Sequence, residues 1–342
     1  MHRAGSCIFK FGAGRVVING IFAMQSLEHM NMQRNISIDL LKLALAVCVV
    51  FLHTHIFYDY SSLLEHSLVQ GLFRIAVPVF LVITGYYFLY IDNFNKFKKW
   101  LKRVFVLYAL WMAFYCPIWW SPNLSYNISI IYNGYFVLWY LVGVLWGGGL
   151  LYLLRNLSGK KLWIIASLFF IAGVAIQQAG NLHWFSGYWD WKLNQYTTHR
   201  NFLTVSFPFM ALGFLMHKYK ALTIDKFNIK GWHIVILIGL VIFESLLNYF
   251  LISKKESLDQ MFSLYFAAPA IVAYCLNRQM LSSHKEIANL STAIFLIHPF
   301  FIYHLKSYFI GQQTLFSFAV LLCSAAAGCL LVLMNKKVKY LL

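Results

Sequence analysis

Three ionisable side chains share one face of an apolar stretch near the start of the chain. The stretch reads SIDLLKLALAVCVVFLHTH and contains Asp39, Lys42 and His53. At 100° per residue, Lys42 and His53 lie three turns plus about 20° apart, and Asp39 lies one turn before Lys42, close enough to pair with it. Histidine titrates near neutral pH, so a stripe of this kind could carry protons along about 16 Å of helix.

Ionisable groups inside a membrane-spanning helix are costly, and they indicate a functional site that faces the interior of the bundle. An ordinary structural role is open for each residue. Lys42 can reach the membrane interface while paired with Asp39, and His53 can make an interhelical hydrogen bond. The shared face favours a common function over these separate roles.

Arg74 and His298 are two further polar residues that lie beside a proline in an apolar run. Arg74 lies one turn before Pro78 in FRIAVPVFLVITGYYF, and His298 directly precedes Pro299 in STAIFLIHPFFIYH. Pro78 cannot donate a hydrogen bond to the carbonyl of Arg74, so the helix is predicted to kink there. An arginine beside a kink suits an anion or a developing oxyanion, although a position at the membrane interface is also open.

The composition places these residues in a membrane protein. Of the 342 residues, 61% are hydrophobic and 11% are charged, whereas soluble domains average about a quarter charged residues. The net charge of +17 comes from short basic clusters between apolar runs, a distribution that argues against a nucleic-acid-binding face. The six cysteines have neither C-x-x-C nor zinc-binding spacing, so we expect no disulfide and no metal site.

Apolar runs of about 17–25 residues predict an all-α, polytopic membrane helix bundle of about ten transmembrane helices. The third, sixth and eighth runs are the weakest. An even number of spans places both termini on one side, and the loops and tail on that side carry 17 Lys and Arg residues against 5 on the other. Basic loops remain in the cytoplasm, so both termini are predicted to be cytoplasmic. The predicted spans are 37–57, 71–91, 103–120, 135–154, 161–180, 202–217, 232–252, 260–277, 287–306 and 314–334.

Four segments resemble motifs of the acyltransferase-3 family of integral-membrane acyltransferases, which modify bacterial surface polysaccharides and lipid-linked sugars. They are ISIDLLKLALAVCVVFLHTH, FRIAVPVFLVITGYYF, LWYLVGVLW and IFLIHPF, and the resemblance covers about residues 34–335. It implies that His53 is the catalytic histidine, that Lys42 is its essential basic partner and that Asp39 supports them. It also implies that Arg74 supports the site, and we predict that Arg74, His298 and Trp139 bind the substrate.

Three positions depart from the family pattern. Lys42 replaces the commoner arginine, which keeps the charge but loses the bidentate fork. Val77 occupies a position where some members carry a second arginine, and Thr84 replaces the commoner serine. Any donor contact made by that second arginine is therefore expected to be absent at this position.

The resemblance implies transfer of an acetyl group from cytosolic acetyl-CoA, the donor substrate, to a sugar hydroxyl, with no permanently bound cofactor. The implied acceptor is a surface polysaccharide or a lipid-linked glycan, and the implied location is the bacterial inner membrane, among its lipids. A transporter or flippase with a pathway through Asp39, Lys42 and His53 is the main alternative. The sequence specifies neither the sugar nor the acyl group, since succinyl-transferring relatives exist.

Residues 32–342 are predicted to form one membrane acyltransferase domain. Residues 1–31 contain no motif and no stretch long enough to span a membrane, and Met30 and Met32 both precede the first span. We therefore interpret this N-terminal extension as the result of a mis-called start codon.

Overall fold

The computed structural model describes residues 34–225, 228–278, 280–282, 285–338 and 341–342. The predicted extension at 1–31, together with the start-codon hypothesis, lies outside these residues. Helices dominate the described ranges, where strand pairing is limited to Arg34–Asn35 (β1) running antiparallel to Leu281–Ser282 (β2). The all-α prediction is confirmed apart from this short pairing, which joins the start of the first helix to the segment before the ninth.

Each of the ten predicted spans has a helix at its position. Several of these helices combine regular turns with shorter 3-10 or π-helical ones. In chain order they are α1 (Ile36–Thr54), α2 (Ser62–Phe88), α3 (Phe94–Phe114), α4 (Phe136–Leu154), α5 (Gly159–Asn181), α6 (Phe202–Lys218), α7 (Gly231–Leu251), α8 (Phe262–Asn277), α9 (Glu286–Tyr308) and α10 (Gln313–Asn335).

Within the described ranges, seven helices are long and apolar enough to cross a membrane: α1, α2, α4, α5, α7, α9 and α10. Helices α6 and α8 are apolar but shorter, and the first half of α3 carries a cluster of lysines and an arginine. These three are the helices that the sequence marks as weakest. The chain is therefore a multi-pass membrane protein, and the total of ten crossings stays a prediction.

Two helices begin well before their predicted apolar runs. Ser61 caps the start of α2 by accepting a hydrogen bond from the Leu64 N–H, and Asn93 caps α3 by accepting one from the Lys96 N–H. Hydropathy detects where a helix is apolar, whereas such caps determine where it begins. At its other end α3 stops at Phe114, and a short helix, Cys116–Trp119, follows with Pro117 in its first turn.

Helix α2 is irregular around Arg74. A π-helical turn over Ser67–Gly71 and a 3-10 turn over Leu72–Ile75 precede the regular helix that starts at Ala76. The kink at Pro78 stays a prediction, since the altered winding lies in the turns before the regular helix that contains this proline. Arg74 lies in this altered segment, where its side chain meets partners from the loop between α7 and α8.

Glycines let α2 and α6 approach to backbone contact. A Cβ atom on Gly85 would lie 1.9 Å from the carbonyl oxygen of Met210, and one on Gly213 would lie 2.0 Å from that of Val82. A helix backbone cannot give way locally, so a methyl group at either position must push two buried helices apart. Because α2 carries Arg74, this contact also positions the candidate site.

We expect Gly85→Ala to destabilise the protein and Gly149→Ala to be neutral or slightly stabilising. Overpacking a buried contact costs about 1–3 kcal/mol, whereas alanine at an open helical position is favoured over glycine by up to about 1 kcal/mol. Around Gly149, the described chain places no atom within 4 Å of an added Cβ. Thermal unfolding in detergent, followed by size-exclusion chromatography, measures both variants. Equal melting temperatures would contradict the close contact.

Candidate active site

His53, Arg74 and Trp139 surround one small cavity, which we call the His53 cavity. It has a volume of about 40 Å³ and lies where α1, α2 and α4 meet. Arg200 and Asp259, from the loops α5–α6 and α7–α8, complete its polar wall. The structure therefore brings three of the predicted residues together and adds two that sequence reasoning missed.

Arg74 is held by partners from its own helix and from the α7–α8 loop. Its side chain is 10% exposed, and the guanidinium forms an ion pair with Asp259 and hydrogen bonds with Gln70 and, at 3.2 Å, with the Ser257 hydroxyl. The Nε–H of Arg74 is buried and has no hydrogen-bond partner among the described residues. One donor of this guanidinium therefore remains available to a bound group.

Basic side chains surround Asp259 at the edge of the cavity. Its carboxylate lies 3.4 Å from Arg200 Nη1 and 3.4 Å from His199 Nε2, in addition to the ion pair with Arg74. Burial opposes ionisation here, but Arg200 and Arg74 hold the pKa of Asp259 well below its usual range. The backbone N–H of Asp259 donates to Gln177 on α5 at 2.8 Å, which fixes the loop. Two guanidinium groups against one carboxylate leave this cluster with surplus positive charge.

Arg200 brings a second arginine to the site from a distant segment. It follows the short helix Tyr196–His199, and its guanidinium lies 4.9 Å from the ring centroid of Trp139 and 4.7 Å from that of Tyr196. Val77, where some relatives carry their second arginine, lines the same cavity as Arg200. A second guanidinium therefore reaches the His53 cavity from the α5–α6 loop.

Two histidine rings stack beside the cavity. The ring centroids of His53 and His298 are 5.6 Å apart, with their planes at 23°. His298 is fully buried, and its Nδ1 lies 3.2 Å from the Ile294 carbonyl. Because a carbonyl only accepts, Nδ1 carries the proton and Nε2 a lone pair, which has no partner in the part of the chain that the structure describes. The Phe136 ring, on a backbone with a φ of 48°, lies 4.7 Å from the His53 ring.

Lys42 and Asp39 lie apart from this group, although they share a helix face with His53. Lys42 lines a second cavity of about 240 Å³, which we call the Lys42 cavity. Its Nζ lies 4.0 Å from the Asp39 carboxylate, which is only 3% exposed. Tyr140 and Phe295 line both the Lys42 cavity and the His53 cavity. The polar face of α1 is thus divided between two adjoining cavities.

A third cavity, of about 490 Å³, lies on the other side of Trp139 and Arg200, which line both it and the His53 cavity. We call it the Tyr196 cavity. Aromatic rings can stack on the apolar faces of a ligand while amides and hydroxyls pair with its polar groups. The wall provides both kinds of group, including Tyr132, Trp146, Tyr196, Asn133, Thr197 and Asn201.

Known proteins resemble this chain over most of its length. An amino-acid racemase of Enterococcus faecalis is 27% identical over 340 residues, which cover 88% of this chain and 46% of the relative. A serine/alanine racemase of Enterococcus gallinarum is 27% identical over 318 residues, which cover 82% of this chain and 42% of the relative. This chain thus spans less than half the length of these relatives. No solved structure matches it.

A family model described as an acyltransferase domain matches residues 35–334. The match includes all six predicted site residues and the four segments on which the resemblance rests. It extends from β1 to the end of α10, so it covers the whole helix bundle. The chain therefore belongs to the acyltransferase-3 family of membrane acyltransferases.

Proposed function

We propose that this protein is an O-acyltransferase of the bacterial inner membrane that moves an acetyl group from cytosolic acetyl-CoA to a sugar hydroxyl. The acceptor is a surface polysaccharide or a lipid-linked glycan. The observation that carries the proposal is the series of three adjoining cavities. Tyr140 and Phe295 border the Lys42 and His53 cavities, and Trp139 and Arg200 border the His53 and Tyr196 cavities. His53 therefore lies between two larger cavities, and we assign the Lys42 cavity to the donor and the Tyr196 cavity to the acceptor.

The donor enters on the Lys42 side in this proposal. Lys42 offers an ammonium group to the amide carbonyls or phosphates of coenzyme A, and Asp39 holds that ammonium in place. The basic residues at the start of α3, among them Lys98 and Lys102, provide further charge for the phosphates. The thioester end then extends toward His53.

The transfer itself requires a base and a donor for the oxyanion. His53 takes the proton of the sugar hydroxyl as its oxygen attacks the thioester carbonyl carbon. The carbonyl oxygen gains negative charge, which the free Nε–H of Arg74 and the surplus positive charge around Asp259 stabilise. The carbon–sulfur bond breaks, the thiolate of coenzyme A leaves and receives the proton from His53, and the acetyl group remains on the sugar oxygen.

The acceptor occupies the Tyr196 cavity. A pyranose ring has apolar C–H faces and a rim of hydroxyls, and this cavity pairs aromatic rings such as Trp146 and Tyr196 with the amides of Asn133 and Asn201. Its volume of about 490 Å³ lies in the range of about 300–1,000 Å³ that is usual for small-molecule sites. Trp139 borders both spaces, so a sugar stacked there can direct one hydroxyl toward His53.

The test of this function compares the surface glycan of a deletion strain with that of the complemented strain by mass spectrometry. We expect the deletion strain to lose one acetyl unit per repeat and the complemented strain to regain it. Isotope-labelled acetyl-CoA supplied to inverted membrane vesicles should transfer its label to the same glycan. Identical glycan masses in both strains would refute the proposal.

The charge distribution predicts the orientation of the chain in the membrane. A single cysteine replacing Lys99 should be shielded from a membrane-impermeant maleimide in intact cells, and one replacing Lys254 should be labelled, in a background without native cysteines. Lys99 lies in the basic segment of α3 and Lys254 in the α7–α8 loop, and both side chains are exposed. Labelling at Lys99 together with protection at Lys254 would reverse the proposed orientation.

Transport of an amino acid is a second candidate. The adjoining cavities could also serve as a pathway past His53, and the two relatives quoted above are named as racemases, one of them for serine and alanine. In this alternative, Tyr140 and Phe295 form the barrier between two sides. Uptake of labelled L-serine by proteoliposomes, with no acyl transfer from acetyl-CoA, would favour transport over the proposed enzyme.

A further inference from the structure

Three aromatic rings, which we call the aromatic partition, separate the Lys42 cavity from the His53 cavity. They belong to Phe80 on α2, Tyr140 on α4 and Phe295 on α9. The ring centroids lie 6.2 Å apart for Phe80 and Tyr140, 5.9 Å for Phe80 and Phe295, and 5.6 Å for Tyr140 and Phe295, with interplanar angles of 64°, 64° and 68°. All three pairs are edge-to-face, the arrangement that aromatic quadrupoles favour. Three helices therefore meet at one cluster of rings between the two cavities.

Hydrogen bonding fixes the Tyr140 ring in this position. The Thr84 hydroxyl donates to the Phe80 carbonyl at 2.8 Å, so its oxygen is free to accept from the Tyr140 hydroxyl, which lies 3.3 Å away. Phe295 is fixed by burial instead, with 8% of its surface exposed. Phe80 and Tyr140 are partly buried and pack against the core, so the partition is carried by three packed helices and not by a loop that folds over the site.

The two cavities that the partition separates differ greatly in size. The Lys42 cavity has a volume of about 240 Å³ and the His53 cavity one of about 40 Å³. A cavity needs about 10–15 Å³ by this measure to hold one water-sized group. The His53 cavity therefore holds roughly three such groups, and an acetyl group has three non-hydrogen atoms.

We infer that Tyr140 and Phe295 restrict the enzyme to short acyl groups of two or three carbons. The inference rests on the proposed function, because it assumes that the acyl group comes from the Lys42 side. The thioester carbonyl must lie beside His53 for attack, so the acyl chain has to fit within the His53 cavity. Tyr140 and Phe295 form part of its wall, so their rings limit its volume and the loss of either ring would enlarge the space open to the acyl chain.

The experiment supplies acetyl-, propionyl-, butyryl- and hexanoyl-CoA to inverted membrane vesicles that contain the full chain and the native acceptor. Mass spectrometry of the glycan gives the ratio of hexanoyl to acetyl transfer. Each methylene group that a pocket rejects lowers the rate by about 10–200-fold, so the wild-type ratio should lie below about a hundredth. Phe295→Ala removes a ring from the partition and should raise that ratio at least about tenfold.

Phe301→Ala is the matched control, because Phe301 is a partly buried aromatic residue on the same helix, away from the partition. It should keep the wild-type ratio. Phe295→Leu repeats the measurement with a smaller loss of volume, in case the alanine variant does not fold. Hexanoyl transfer by the wild type within about tenfold of acetyl transfer would overturn the inference, as would an unchanged ratio in active Phe295 variants. Transfer from none of the four donors would refute the proposed function itself.

Discussion

Replacing His53 with alanine should lower acyl transfer by about 10²–10⁴-fold, the usual effect of losing a general base. The change should leave the amount of folded protein in the membrane nearly unaltered. An interhelical hydrogen bond in a membrane averages only about 0.6 kcal/mol, so a purely structural role for His53 predicts a small, graded loss instead. The measurement is glycan acetylation in a deletion strain complemented at matched membrane levels. Retention of more than about a tenth of wild-type transfer would exclude His53 as the base.

Two histidines on α9 provide comparison variants for His53→Ala. His304 is exposed near the end of α9, so His304→Ala should transfer at the wild-type rate. His298 stacks on His53 and has a buried lone pair on Nε2, so His298→Ala should impair transfer without abolishing it. If His298→Ala is inactive and His53→Ala is not, then His298 is the base.

Much of the helical architecture was predictable, because the requirement to satisfy backbone hydrogen bonds in lipid makes each apolar run a helix. The positions of all ten helices follow from hydropathy. Their starts do not, since Ser61 and Asn93 cap α2 and α3 at polar positions outside the apolar runs. The contact between Gly85 and Met210 was equally hidden, because a glycine in an apolar run gives no sign of which helix it meets.

Helical periodicity predicted only part of the candidate site. It correctly placed Asp39 beside Lys42, and the structure brings His53, Arg74 and Trp139 to one cavity. It could not show that Lys42 and His53 line different cavities, because that division depends on rings from three other helices. Their catalytic and binding roles stay predictions until the variants are measured.

Arg200 and Asp259 were missed because their place in the site depends on tertiary contacts between segments that are distant in the sequence. In the sequence, Arg200 is one of few basic residues in loops predicted to lie outside, and Asp259 is an unremarkable carboxylate between α7 and α8. Only the fold places Asp259 against both Arg74 and Arg200. One argument from the sequence pointed to Asp259. A buried arginine such as Arg74 needs a carboxylate partner, and the carboxylates in loops on the same side of the membrane were the candidates.

Arg74→Lys should lower kcat by about 10²–10³-fold, as removal of one oxyanion donor does, with little change in the KM for acetyl-CoA. Lysine keeps the positive charge, and its ammonium group can still pair with Asp259. It cannot reproduce the fixed geometry in which the terminal nitrogens of Arg74 bind Asp259, Gln70 and Ser257 while Nε–H stays free. Steady-state kinetics in vesicles with acetyl-CoA separate the two parameters.

Arg200→Lys is the matched comparison, because it makes the same change beside the same carboxylate. Arg200 lies over Trp139 and Tyr196, and lysine also binds aromatic faces, so we expect a loss below about tenfold. Similar kcat values for both lysine variants would mean that positive charge alone is needed, and that the Nε–H of Arg74 has no special role. Asp259→Asn tests the support of both arginines, since it leaves the buried Arg74 and the partly exposed Arg200 without this counter-charge. That variant should reduce the yield of folded protein, because an unpaired buried charge costs about 3–5 kcal/mol, whereas Arg74→Lys should fold and fail only in transfer.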